Sequence, residues 1–306
     1  MKQGVLYAAA AYLMWGLLPI YWKVFEKMGA WEILAHRVFW SAVFVVAILQ
    51  ITGKLRDLRK SVSGKKTWAT LFISSLIISG DWLIFIWAVN NDHVLESSLG
   101  YYINPLLSVL FGVLFLKERL RAGQWIAIGL AAVGVTVMTI NYGKVPWVAI
   151  SLALTFALYG LAKKKVQLES MMSLAWETLF IAPIALVYLL TLQVNGQETV
   201  TLLKGWQMAL LASAGVATAL PLYWFARAAK RLPLSTVGFI QYLSPTISLL
   251  LAVFLFHEPF TSAHWLSFGF IWSGLLVFSI SSLRKQTPLV QQPHAPQPNL
   301  ALKKKA

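Results

Sequence analysis

Residues 101–140 read YYINPLLSVLFGVLFLKERLRAGQWIAIGLAAVGVTVMTI, and residues 241–280 read QYLSPTISLLLAVFLFHEPFTSAHWLSFGFIWSGLLVFSI. At a constant offset of 140 the strings agree at 11 of 40 positions, including Tyr102/Tyr242, Pro105/Pro245, Glu118/Glu258, Trp125/Trp265, Gly129/Gly269 and Gly134/Gly274. Shared apolar composition produces chance matches among Leu, Val and Ile. It does not readily align Pro, Glu, Trp and two Gly without a gap. The same offset aligns Leu34-Ala35 with Leu174-Ala175, and a near offset of 144 aligns Trp15-Gly16-Leu17 with Tyr159-Gly160-Leu161. The chain is read as two copies of one unit.

What kind of unit follows from composition. The 306 residues are 58% apolar and only 12% charged. A soluble domain carries about 25% charged residues, and so few charges do not cover a soluble surface. That disfavours a soluble enzyme, a nucleic-acid binder and a disordered chain. Apolar runs, cut at charge clusters and turn residues, give ten candidate helices: 4–22, 32–52, 67–89, 97–116, 123–141, 146–162, 172–193, 206–226, 234–256 and 264–283. Each except the short sixth has about the 20-residue length that crosses a bilayer. The expected class is an all-α integral membrane protein. The first copy covers 1–141, the second 146–283, and a Pro-rich basic tail, expected to be disordered, covers 284–306.

The net charge of +15 reads differently in such a protein. Basic residues collect in cytoplasmic loops. With the N-terminus inside, 21 bases fall on the cytoplasmic side and 4 on the other. Both termini are therefore expected in the cytoplasm. Five spans per copy is an odd number, so the second copy enters the membrane upside down. The charges agree: Lys117, Arg119 and Arg121 become His257, Pro259 and Thr261 in the partner loop. Inverted repeats are a ground plan of alternating-access transporters, with the substrate near the midplane.

Several stretches resemble the drug/metabolite transporter superfamily, specifically its EamA family and the RarD-type subgroup. They are YLMWGLLPIYWK, EILAHRVFWS, GDWLIFIWAVNNDHVLESSLGYYINPL, FLKERL, YGLAKKK and GFIQYLSPT, spread over nearly the whole chain. The resemblance implies ten helices in two inverted EamA repeats, a bacterial inner-membrane location, and movement of small metabolites, amino-acid-like compounds or drugs. The subgroup carries Asn where this chain has Asp81.

Charged and polar residues inside the spans are the candidate substrate pathway. Arg37 lies roughly 8 Å inside the second span. It reads either as a bidentate clamp for a carboxylate or phosphate or as half of a structural ion pair; His36 adjoins it. Asp81 lies roughly 12 Å inside the third span, at a similar depth, and the two are expected to pair. Asp81 also suits binding of a proton or a substrate ammonium. Glu177 is the repeat counterpart of Arg37, and its shallow depth favours a carboxylate open to cytoplasmic water. Tyr101, Tyr102 and Asn104 precede or adjoin Pro105, and Gln241 and Tyr242 precede Pro245. Proline-interrupted segments at matching places point to a binding site. Trp15 and Tyr159 occupy matching places in the first helix of each copy. Glu118 and Glu258 read as helix caps or partners of nearby bases. Gly129, Gly134, Gly269 and Gly274 read as close-contact positions.

There is no cysteine, which excludes disulfides and thiolate chemistry. No HExxH or GxxxxGK[ST] spacing occurs, so no metal, cofactor or ATP-driven step is expected. The expected partners are a small-molecule substrate, the lipid bilayer and, for coupling, protons. Nucleic acid is not expected, and a homo-oligomer is left open. The rival reading is a membrane-embedded ligand sensor or lipid-handling protein without net transport.

Overall fold

The computed structural model describes residues 2–62, 64–116, 122–143, 145–165, 168–229, 231 and 240–283. Among them no strand occurs. The helices are α1 Lys2–Lys23, α2 Ala30–Ile51, α3 Leu55–Lys60, α4 Lys65–Asn90, α5 Val94–Leu116, α6 Ala122–Tyr142, α7 Trp147–Lys165, α8 Ser170–Val194, α9 Gly205–Ala212, α10 Ala214–Ala229, α11 Leu243–Leu250 and α12 Ser262–Leu283. Seven helical stretches among the described residues are long and apolar enough to cross a membrane, counting Gly205–Phe225 as one. Glu118, residues 234–239 of the expected ninth span and the tail from 284 lie outside the described residues, as does the Pro105 side chain.

The burial pattern is inverted relative to a soluble protein. Leu6, Ile73, Leu114, Val187, Phe254 and Leu276 point outward, while Arg37, Asp81, Glu177, Ser74 and Thr218 are buried. Water does not tolerate an apolar girdle of this extent, but hydrocarbon does. The main core joins Trp22, Phe25, Ile33, Ile86, Leu99, Leu152 and Phe268 across both copies.

Two glycines show how the copies meet. A Cβ at Gly134 would stand 2.8 Å from the Ser267 carbonyl oxygen, and one at Gly274 would stand 2.9 Å from the Ala127 carbonyl oxygen. Ser267 is the counterpart of Ala127 at the 140 offset. The same backbone contact is thus made twice, once in each direction, where α6 runs along α12. Gly129 and Gly269 depart from the expectation: nothing lies within 4 Å of a Cβ at either. Five residues carry a position about 140° round a helix, away from this seam.

Three features were not expected from the apolar runs. The basic segment after α2 folds as the short helix α3, because Leu55 and Leu58 share one face and Leu58 is buried. The eighth span is broken at Ser213, between α9 and α10. There the Leu210 carbonyl accepts from the Ser213 hydroxyl at 2.6 Å and the Tyr21 hydroxyl at 2.5 Å. α11 runs into a π-helical turn, Leu251–Leu255, just before the chain leaves the helix.

Glu258 follows that turn and binds the amides of Val94 and Leu95 at 2.7 and 2.8 Å. It fills the orphan donors at the start of α5. The capping role expected for it holds, but it caps a helix of the other copy instead of the one that follows. Glu96 does the same for α7, accepting from the Val148 amide at 2.9 Å.

Candidate functional site

Arg37 sits on α2, about 10 Å from its start at 1.5 Å per residue, and is only 4% exposed. Its Nε donates to Thr218 Oγ1 on α10 at 3.2 Å. The guanidinium lies over the Trp82 ring at 4.2 Å and the Trp22 ring at 5.0 Å. Its Nη1 is buried with no hydrogen-bond partner. Guanidinium on indole is a favourable contact, but it leaves the donor fork available.

The expected ion pair with Asp81 is not formed. The ion pairs within 4.0 Å among the described residues are Lys23–Glu26, Lys23–Asp92, Lys54–Glu169 and His93–Glu96. Asp81 is near enough to act on Arg37 through space, yet its own partners are neutral. Thr155 on α7 donates to Asp81 Oδ1 at 2.8 Å, and Tyr101 on α5 lies near the same carboxyl group. Trp82 adjoins Asp81 on α4 and occupies the face of the guanidinium. Similar depth does not guarantee pairing when an indole takes that face.

Glu177 also departs from expectation. It is 3% exposed, not open to cytoplasmic water. Among the described residues three hydroxyls converge on it: Tyr159 at 3.0 Å, Ser74 at 3.2 Å and Ser173 at 3.4 Å. α8 begins at Ser170, two residues before the expected start of that span, so Glu177 stands seven residues in instead of five. Two neighbours, α4 and α7, cover the side chain, and helix packing of that kind is not visible in a one-dimensional reading.

These groups form a chain through the bundle. The Tyr101 and Tyr159 rings flank Phe156 at 6.2 and 6.0 Å. Thr155, Phe156 and Tyr159 are adjacent on α7, so one helix face joins the Asp81 site to the Glu177 site. The structure thus brings together Arg37, Asp81, Tyr101, Tyr159 and Glu177. It adds Trp22, Ser74, Trp82, Thr155, Ser173 and Thr218, whose polar groups were concealed in apolar runs. A Trp in a membrane span reads as an interface anchor, so sequence offered no signal for the two that hold the guanidinium.

The remaining candidates lie elsewhere. Trp15 packs with Tyr12 and Phe225 at 5.3 and 5.9 Å. Next to Arg37, His36 points about 100° away round the helix, toward Glu32 one turn earlier, and its Nε2 is buried without a partner. Tyr102 stacks on Tyr242 at 6.2 Å and shares a 2.6 Å hydrogen bond with Thr246, joining α5 to α11. Asn104 donates to the Ala153 carbonyl at 3.1 Å and ties α5 to α7. Gln241 is half-buried, with no hydrogen bond to a described side chain. The Pro245 carbonyl accepts from the Ser98 hydroxyl at 2.7 Å. The Tyr102/Tyr242 region is thus a seam between copies, separate from the Arg37 site.

A family described as the EamA-like transporter family matches the chain twice, over residues 2–140 and 144–280. The chain is 47% identical over 293 residues to "Uncharacterized transporter YojE" of Bacillus subtilis, covering 92% of this chain and 95% of that one. It is 41% identical over 290 residues to "Protein RarD" of Escherichia coli, covering 93% and 96%. It is 30% identical to "Chloramphenicol-sensitive protein RarD" of Pseudomonas aeruginosa, covering 93% and 97%. A solved structure 18% identical to it covers 93% of this chain and 99% of that one, with a TM-score of 0.61, and shows the same fold.

Proposed function

Because the chain belongs to the EamA-like transporter family, we propose that it moves a small polar or amphipathic metabolite by alternating access, with Arg37 clamping an acidic group of the substrate. The observation that carries this is the Arg37 guanidinium. It is buried, held between two indoles, without a carboxylate within 4.0 Å among the described residues, and with one nitrogen unpartnered. A fixed buried cation is favourable when an anion completes it and costly otherwise. Guanidinium offers a planar fork that matches a carboxylate or phosphate.

The rest of the reading follows from the same geometry. Ten spans in two inverted halves are supported by the repeat, by the reciprocal Gly134 and Gly274 contacts, and by the apolar helices α5, α7 and α11 packed among the seven longer stretches. The lopsided charge count supports cytoplasmic termini, and the family supports a bacterial inner membrane. Asp81 lies beside the clamp and suits a substrate ammonium or a proton; Glu177, about 10 Å in from the start of α8, is a second acid toward the opposite face. An amino-acid-like zwitterion fits this arrangement. Trp22, Trp82 and Phe156 suit an apolar substituent on it.

The test compares small metabolites inside and outside cells lacking the protein, overexpressing it, and overexpressing Arg37→Ala. The proposal requires an acid or zwitterion whose distribution changes with wild type and not with the variant. A reporter fused after Lys285 reads the topology. An unchanged metabolite profile across well-expressed strains, or a periplasmic reporter, counts against the reading.

A further inference from the structure

A basic cavity stands at one end of the bundle, away from Arg37. The end of α2, the start of α8 and the end of α10 border an open cavity of about 410 Å³. Ile48, Leu49 and Met171 form an apolar wall, and Lys54, Arg227 and Arg231 bring cationic groups to it. Lys54 is paired with Glu169 at 3.4 Å. Neither arginine has a carboxylate within 4.0 Å among the described residues, so the described lining carries two positive charges in excess.

The two arginines are positioned, not merely present. Arg227 Nη1 donates to the Tyr223 hydroxyl at 2.5 Å, and Arg231 Nη1 donates to the Arg227 carbonyl at 3.0 Å. Both guanidinium groups lie over the ring of Tyr7, on α1, at 5.3 and 5.6 Å from its centroid. They are therefore within about 11 Å of each other. Two like charges gathered at one ring repel, and a shared anion between them removes that repulsion. The Tyr7 ring attracts each guanidinium but carries no net charge, so the two positive charges stay uncompensated.

We propose that this cavity binds a phosphate ester carried on an apolar stem. One carboxylate satisfies one fork. A phosphate has oxygens enough for two guanidinium groups and the Tyr223 hydroxyl together. The apolar wall accepts the stem, and basic pockets between helices at a membrane face are where acidic head groups dock. The site stands independently of the proposed transport role. The phosphate comes either from an anionic phospholipid or from a free phosphate ester.

The experiment uses the purified full-length protein in neutral detergent, with bound molecules counted by native mass spectrometry. Phosphatidylglycerol and phosphatidylcholine are the lipid probes, and inorganic phosphate is the competitor. The site predicts one phosphatidylglycerol retained in preference to phosphatidylcholine. Arg227→Ala/Arg231→Ala weakens that binding at least tenfold. Arg227→Lys/Arg231→Lys keeps the charge and the fold and gives an intermediate loss, because the forks are gone. Displacement of the lipid by millimolar phosphate identifies a free phosphate ester as a ligand. Retention against phosphate identifies the phospholipid. Equal binding of the two lipids, or both double variants binding as wild type, overturns the proposal.

Discussion

Thr155 and Tyr159 stand one turn apart on α7, and each gives its hydroxyl to a different buried carboxyl group. Thr155 donates to Asp81 at 2.8 Å and Tyr159 to Glu177 at 3.0 Å. The first residue of the pair serves the side of the bundle that holds Arg37, and the second serves the opposite side. One helix of the second copy therefore holds both acids. A shift of α7 along its axis alters both sites at once, which is the coupling that alternating access needs.

Removing either hydroxyl leaves a buried acceptor short of a donor. Thr155→Val and Tyr159→Phe are each expected to destabilise the protein by about 1–3 kcal/mol. The check is thermal unfolding in detergent. Thr155→Ser should fall near wild type because it keeps the donor. Unchanged melting in both the Val and Phe variants contradicts these bonds.

Asp81 is the acid nearest the clamp and is bonded to the Thr155 hydroxyl, not to Arg37. It is free to exchange a proton without breaking an ion pair. An imposed pH gradient should drive substrate accumulation in proteoliposomes containing wild type, and Asp81→Asn should lose that response while still equilibrating substrate. Equal response in both proteins removes Asp81 from coupling. No response in either makes the protein a facilitator.

Gly134 and Gly274 each face a backbone carbonyl at under 3 Å from the position of a Cβ, whereas Gly129 faces nothing within 4 Å. A methyl at the first two must push α6 and α12 apart. Gly134→Ala and Gly274→Ala should each destabilise by about 1–3 kcal/mol, and Gly129→Ala should not destabilise. A ranking in the reverse order in unfolding measurements contradicts the seam.

The division between what sequence made legible and what it did not has a physical basis. The repeat, the apolar helical character and the buried charges at 37 and 81 are legible because a gapless match of Pro, Glu, Trp and Gly does not follow from apolar composition, and ionised groups are expensive in a membrane span. Neighbours across helices were not readable. Whether Arg37 meets Asp81 or Trp82 depends on how α2 and α4 are rotated, and no one-dimensional pattern fixes that angle. Glu177 shows the same limit: its burial depends on Ser74 and Tyr159, which come from other helices. The break at Ser213 depends on a hydroxyl from Tyr21, 192 residues away.

Glu258 lies outside the spans, and burial pushes its carboxyl above the ordinary value of 4.5 against the pull of two amide bonds. A carboxyl with a raised folded value holds more protons when folded. Its contribution is whole below the ordinary value and is lost as pH rises through the raised one. The stability difference between wild type and Glu258→Gln should therefore shift against wild type as pH rises through that window. A difference that is flat, or that shifts toward wild type, contradicts the assignment.

The most direct measurement is substrate flux into proteoliposomes for wild type, Arg37→Lys and Arg37→Ala, using the acid or zwitterion found in the metabolite comparison. The account predicts full flux for wild type and little for Arg37→Ala. Arg37→Lys should be intermediate, because lysine keeps the charge and loses both the fork and the stacking on Trp22 and Trp82. Wild-type flux in a well-folded Arg37→Ala protein would contradict it and return Arg37 to a structural role.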